Sequence, residues 1–221
     1  MDLSLPFIFA FFISYLIGSI PFGLILTRFA GLGDIRAIGS GNIGATNVLR
    51  TGRKGLAAAT LLLDGGKGFV ATAGMYAYFN PRLMEVNTYT TCAPGPCYGQ
   101  GDIMLVAAVM GFAALLGHCF PVWLKFKGGK GVATALGVAF GLHWLLGVCA
   151  CATWLIMAAV FRYSSLSALV AVAALPGYAL WLGYPDIAAP LVGMAALIFY
   201  RHKTNIQRLL AHTEPKIGQK K

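Results

Sequence analysis

Lys125-Phe126-Lys127-Gly128-Gly129-Lys130-Gly131 packs three lysines and three glycines into seven residues between two apolar runs. Lacking a Cβ, glycine lets successive backbone N–H groups turn inward as an anion-binding nest, and lysines supply the compensating charge. A helix starting at Gly131 would add the partial positive charge of its N-terminus to the same spot. The chemistry this pattern suits is the seating of a phosphate at a membrane surface. The plainer alternative is a short positive-inside loop, which leaves the interleaved glycines without a reason.

A second stretch reads Gly39-Ser40-Gly41-Asn42-Ile43-Gly44-Ala45-Thr46-Asn47-Val48-Leu49-Arg50. Gly39 to Gly44 match G-x-G-x-x-G, and Asp64 even falls ~20 residues further on, as in a dinucleotide-binding fingerprint. That fingerprint needs a preceding strand and a βαβ unit, whereas here an apolar helix precedes it and Asp64 falls inside another. What remains is close backbone approach at the glycines, hydrogen-bonding groups on Ser40, Asn42, Thr46 and Asn47, and a forked cation on Arg50. So many small polar groups are costly near lipid unless they line a wet cavity. A polar re-entrant loop with an arginine at headgroup level is the alternative.

Other candidates are scattered along the chain. Asp64 and Lys67 lie i, i+3 on one face of an apolar span, so each is the other's obvious partner, as a structural ion pair or as support for Arg50 or the lysine loop from behind. His118 closes another span and reads as a packing residue rather than a catalyst; His143 sits at a turn on the far side. Ser164 or Ser165 is a helix N-cap in Arg162-Tyr163-Ser164-Ser165, with donation to a bound oxyanion as the second role. His202, Asn205 and Arg208 share one helical face at i, i+3, i+6, which either completes the site or lies on anionic lipid. No G-K-[ST] follows a glycine–lysine cluster, no His-x4-Asp acyltransferase motif is present, and no residues have metal-ligand spacing; neither ATP, a metal nor a cofactor is implied.

The elements that must position these groups are membrane helices. The chain has 221 residues, 58% hydrophobic and 11% charged, with a mean hydropathy of +0.73. Soluble domains carry about 25% charged residues. The net charge of +10 sits in short loops between apolar segments, which argues against nucleic acid as a partner. The expected architecture is a single all-α integral membrane domain of seven spans, at about 5–27, 55–79, 102–122, 131–142, 144–160, 165–182 and 187–200. Pro21 kinks the first, and Gly141-Leu142-His143 divides the long run 131–160 into two short or tilted helices. The basic residues place the N-terminus outside, Arg28 and Arg36 inside, Arg82 outside, and the tail 201–221 in the cytoplasm. Cys92 and Cys97 flank Ala93-Pro94-Gly95-Pro96 in a polar loop; a local disulfide is open to them if that loop faces an oxidising compartment.

Ser40 to Arg50, Gly117-His118 through Gly131-Val132-Ala133-Thr134, and His202-Lys203-Thr204-Asn205-Ile206-Gln207-Arg208-Leu209 with Glu214 together resemble the three cytoplasmic motifs of the PlsY family, bacterial acyl-phosphate:glycerol-3-phosphate acyltransferases. Leu63-Asp64 with Lys67-Gly68 fits as well. The resemblance runs in order from the first span to Glu214. Two departures fall in the third motif: Lys203 where the family usually has arginine, and His212 where it usually has glycine. The loop 80–101 is longer than the family leads one to expect.

The resemblance implies transfer of an acyl group from acyl-phosphate to the 1-hydroxyl of sn-glycerol 3-phosphate. It implies a bacterial inner-membrane enzyme working at the cytoplasmic face, with a functional link to the enzyme that makes acyl-phosphate. Lys125, Lys127, Gly128, Gly129, Lys130 and Gly131 are then expected to hold glycerol 3-phosphate, with Ser165 as a further donor. Ser40 and Arg50, with Gly41, Asn42, Thr46 and Asn47, would hold the acyl-phosphate, while His202 and Asn205 orient the attacking hydroxyl. The acyl chain would lie among the helices. A seven-span transporter for a phosphorylated solute is the rival, but transporters tend to repeat symmetry and midplane sites, and here the polar motifs cluster on one face. A lipid-binding structural protein leaves Ser40, Asn42 and Asn47 unexplained.

Overall fold

A computed structural model describes residues 4–38, 41–84 and 100–219, and among these every regular element is helical. Ten α-helices follow in order: α1 (Ser4–Ser19), α2 (Phe22–Phe29), α3 (Ala45–Leu49), α4 (Lys54–Met84), α5 (Gln100–Cys119), α6 (Val132–Leu142), α7 (Trp144–Phe161), α8 (Ser164–Trp181), α9 (Ala188–Arg201) and α10 (Lys203–Leu210). Among the described residues, four stretches are long and apolar enough to cross a membrane: Leu5–Phe29, Gly101–Leu124, Trp144–Phe161 and Ser164–Trp181. Phe9, Phe12, Leu62, Leu155, Ile156, Val160 and Trp181 are all exposed on the outside of the bundle, as a lipid-facing surface requires and a watery one would not tolerate.

The first apolar stretch is broken rather than merely kinked. Pro21 has no N–H and disfavours helix at Ile20, so α1 ends at Ser19 and α2 restarts at Phe22. Lys67 of α4 donates to the Ile20 carbonyl left over at the break, at 2.9 Å. At 31 residues, α4 is about 46 Å long. By contrast, α6 and α9 have 11 and 14 residues, short of the roughly 20 needed to cross alone. The run 131–160 divides at His143, whose Nδ1 accepts from the Leu145 N–H at 3.3 Å and caps α7.

Small residues let the backbones touch. A Cβ on Gly137 would lie 1.8 Å from the Gly65 carbonyl oxygen, and one on Gly68 2.2 Å from that of Thr134. Helices α4 and α6 therefore meet backbone to backbone, which is how helices gain contact where lipid offers no hydrophobic drive. The Thr134 hydroxyl spans the seam to the Asp64 carbonyl at 3.0 Å. The apolar core sits among α5 to α9, with Leu115, Val138, Leu146, Val172, Leu175, Leu191, Met194 and Ile198 buried. Cys119, Cys149 and Cys151 are free thiols. Cys92, Cys97 and the expected disulfide between them lie outside the described residues.

Candidate active site

The lysine–glycine loop is docked onto the end of α5. After a 3-10 turn at Val122–Leu124, Lys125 and Phe126 take left-handed φ values of 50° and 61°, uncommon for residues with a Cβ. The Gly128 and Gly129 N–H groups then donate to the carbonyls of Cys119 and His118, at 3.2 and 3.0 Å. This corrects the expectation of an open nest. The last carbonyls of α5 have no helical donor, and the loop supplies two. The glycines serve close approach: a Cβ on Gly128 would lie 2.2 Å from the His118 carbonyl oxygen, and one on Gly129 2.0 Å from His118 Nε2. Gly131, at φ 83°, is the N-cap of α6, as its position in the sequence suggested.

Arg201 braces the loop from the other side, donating from Nε to the Gly129 carbonyl (3.0 Å) and from Nη2 to that of Gly128 (2.8 Å). Beneath it lies a buried cluster on α4 and α5. Lys67 Nζ is 2.8 Å and His118 Nδ1 3.7 Å from Asp64 Oδ1. The ion pair read from the sequence is thus present, and through His118 it supports Gly129.

Lys130 turns toward α10, where its ammonium donates to Asn205 Oδ1. Asn205 Nδ2 in turn donates to Glu214 Oε1 at 2.6 Å, which also accepts from Ser165 Oγ at 2.6 Å; Glu214 Oε2 accepts from Arg208 Nε at 2.6 Å. Ser165 therefore does not cap α8, whose N-cap is Tyr163; its hydroxyl is held by the carboxylate. Burial pushes the Glu214 carboxyl up, but those three donors outweigh it and hold the group below the usual carboxylate range. Burial takes Lys130 down to about 8, helped by the positive neighbours Arg208, Arg50 and Arg201 and opposed by Glu214. His202, at the joint between α9 and α10, is taken down to about 4, chiefly by burial. Its Nδ1 lies 2.8 Å from the Ile198 carbonyl. Since a carbonyl only accepts, Nδ1 carries the proton and Nε2 of the neutral ring is an acceptor.

Glu214 reaches this position because the tail folds back. The Ile217 N–H donates to the Arg162 carbonyl (2.6 Å), and Arg162 Nη2 to the Ile217 carbonyl (3.1 Å). The turn that starts the return passes through His212 at φ 55°, a conformation in which glycine costs less than a residue with a Cβ.

The first motif forms a tight loop over α2. A Cβ on Gly23 would lie 2.0 Å from the Ile43 carbonyl oxygen, so α2 carries glycine where the loop crosses. Gly41 has φ 68°. Asn47 is buried, and its amide nitrogen faces the carbonyls of Ile35, Ile38 and Asn42 at 2.9, 3.0 and 2.8 Å. Asn47, expected to bind substrate, uses its amide nitrogen to staple the loop. Asn42 Oδ1 is buried without a hydrogen-bond partner. Thr46 and Arg50 are exposed at the two ends of the short α3, and Arg50 lies within electrostatic reach of Lys130. Ser40 lies outside the described residues. Lys125 and Lys127 stand apart from Lys130, lining an open cleft with Arg28 and Arg36.

Lys130, Arg50, Arg201 and Arg208 form a cationic cluster around one organising carboxylate, an arrangement that suits a phosphorylated substrate. A family described as glycerol-3-phosphate acyltransferase matches residues 8–212. The chain belongs to the glycerol-3-phosphate acyltransferase family. A glycerol-3-phosphate acyltransferase of Paramagnetospirillum magneticum is 55% identical over 94% of this chain and 92% of the relative. That of Erythrobacter litoralis is 49% identical over 100% of both. The crystal structure of PlsY, an integral membrane glycerol 3-phosphate acyltransferase, in its glycerol 3-phosphate form is 35% identical over 96% of each chain, with a TM-score of 0.79. Its lysophosphatidic acid form is 34% identical over 96% of each, with a TM-score of 0.78. The protein is an integral membrane acyltransferase of this family.

Two contributors escaped the sequence: Glu214 entered only through the family resemblance, and Arg201 read as a topology-setting cation. The signal for Arg201 was its place beside His202 at the end of an apolar run. His118 packs, as expected, with its ring against Gly129 and 3.7 Å from Asp64.

Proposed function

We propose that this acyltransferase uses acyl-phosphate as donor and gives 1-acyl-glycerol 3-phosphate and phosphate. The observation that carries the reading is the chain Lys130–Asn205–Glu214, with Ser165 and Arg208 on the same carboxylate. It fixes one ammonium and one amide in a pocket of net positive charge, next to a neutral histidine acceptor. Lys130 and Arg50 would hold the glycerol 3-phosphate and donor phosphates, and Ser40 would support the donor. Nε2 of His202 and Asn205 would orient the 1-hydroxyl.

In the transfer, the hydroxyl oxygen bonds to the acyl carbon, the bond from that carbon to the phosphate oxygen breaks, and phosphate leaves. A ring held at about 4 is a weak base at neutral pH. The hydroxyl proton therefore goes to a phosphate oxygen of the donor, with His202 orienting. Complete loss of activity in His202→Ala with unchanged substrate binding would count against that route.

The reading also takes seven apolar segments as crossings, N-terminus outside and site facing the cytoplasm of a bacterial inner membrane. Its support is the distribution of Lys and Arg along the chain. The acyl chain lies among the helices, and the enzyme making acyl-phosphate is the natural functional partner. The test is phosphate release by purified protein in lipid with palmitoyl-phosphate and glycerol 3-phosphate, without ATP or metal. Release that needs both substrates, yields lysophosphatidate and vanishes in Arg50→Ala supports the proposal. Acyl transfer only from another activated donor overturns it.

A further inference from the structure

The loop that carries Lys130 presents a second basic feature. An open cleft of about 440 Å³ is lined by Arg28, Arg36, Trp123, Leu124, Lys125 and Lys127. Its walls come from two distant parts of the chain, the end of α2 with the following 3-10 turn, and the turn after α5. The nearby acid is Asp34. Its carboxylate takes Arg36 Nε on Oδ1 and Oδ2, at 2.9 and 3.1 Å, and Arg36 Nη2 on Oδ2, with Arg28 Nη2 3.7 Å away. One carboxylate among four cations leaves an excess of three positive charges.

The other wall is apolar. Trp123 is 62% exposed beside Leu124, and Phe29 (89%) and Phe126 (57%) are exposed on the adjoining residues. Tryptophan beside arginine and lysine at the end of an apolar helix is the composition of a membrane–water interface. A free phosphate ion has no use for the apolar wall. A lipid headgroup presents both a phosphate and the upper glyceryl and acyl carbons, and several basic residues at an interface draw anionic lipid.

We propose that this cleft binds the headgroup of an anionic phospholipid, with Arg28, Arg36, Lys125 and Lys127 around its phosphate and Trp123 and Leu124 against its glyceryl and upper acyl carbons. The site is separate from the substrate pocket at Lys130 and grips the far end of the same loop.

The test is native mass spectrometry of the full chain in detergent, titrated with palmitoyl-oleoyl phosphatidylglycerol, palmitoyl-oleoyl phosphatidylcholine or inorganic phosphate. One phosphatidylglycerol should be retained in preference to phosphatidylcholine, and inorganic phosphate should not displace it. Arg28→Gln should weaken retention roughly fivefold, the effect of one cation near a membrane surface. Arg28→Lys should restore it, and Trp123→Ala should weaken retention through the apolar wall. Equal retention of the two lipids, or retention unchanged in both Arg28→Gln and Trp123→Ala, overturns the proposal. Displacement by inorganic phosphate also overturns it, by assigning the cleft to a soluble anion. Retention is read without turnover, so the result is independent of which acyl donor the enzyme uses.

Discussion

Replacing Glu214 by glutamine tests the organisation of the pocket most directly. The carboxylate accepts three hydrogen bonds, two on Oε1 and one on Oε2, all at 2.6 Å, and its side chain is only 7% exposed. Glutamine keeps one acceptor oxygen, which can serve Ser165 and Asn205, but sets an N–H2 against the Arg208 guanidinium. One charge-assisted bond is lost, worth roughly 1.5–3 kcal/mol, and the bond that anchors Asn205, and so aims its oxygen at Lys130, weakens from charge-assisted to neutral. The expected result is a fall of about 10- to 100-fold in kcat/KM for glycerol 3-phosphate, most of it in KM. There is a second signature. The Glu214 charge holds the Lys130 pKa up against the surrounding cations, so its removal moves the alkaline limb of kcat/KM to lower pH. The assay is steady-state phosphate release across pH 6–10 (a range of about four units), on protein shown to be monodisperse with an unchanged melting profile. A folded variant whose kcat/KM stays within about threefold of the parent, with the limb unmoved, would refute the reasoning.

Three further outcomes follow from the geometry. In the parent enzyme the cationic fraction of Lys130 falls as pH rises through about 8, so kcat/KM for glycerol 3-phosphate should decline above that pH; Lys130→Arg, always charged, should remove the limb whatever it does to the maximum. Gly137→Ala brings a Cβ within 1.8 Å of the Gly65 oxygen and should cost at least the 1–3 kcal/mol typical of overpacking, read as a lower melting temperature, whereas Gly177→Ala, with open space around it, should be neutral or slightly stabilising. Lys67→Met leaves Asp64 buried without its cation and should cost about 3–5 kcal/mol, and the double change Asp64→Leu with Lys67→Met should recover more than half of it; a double variant no better than the single one would deny the pairing.

Local patterns explain what the sequence made legible. The i, i+3 spacing of Asp64 and Lys67 predicted a pair that the structure places at 2.8 Å, and the glycine before Val132 marked the start of α6. Where the chain returns on itself, no spacing could report it. Glu214 looks like a solvated tail residue until the backbone pairing of Ile217 with Arg162 brings it under Asn205. Ser165 stands where a cap belongs, yet a carboxylate 49 residues away claims its hydroxyl. The nest at Gly128 and Gly129 failed for a related reason. Glycine allows an anion seat and a close backbone crossing equally well, and only the position of the α5 carbonyls chooses between them.

The pairing of Asp64 with Lys67 bears on how the protein is made as well as how it stands. Both residues ride on α4, so the charge and its counter-charge leave the ribosome within one turn of each other and can be buried as a neutral unit. A lone buried charge would be costly until a partner helix arrived. Here the partner is already on board. The Ile20 carbonyl that receives the spare Lys67 N–H belongs to a segment synthesised earlier. The polar floor of the pocket can thus assemble from α1, α2 and α4 before the glycine loop, α10 or the tail has been translated.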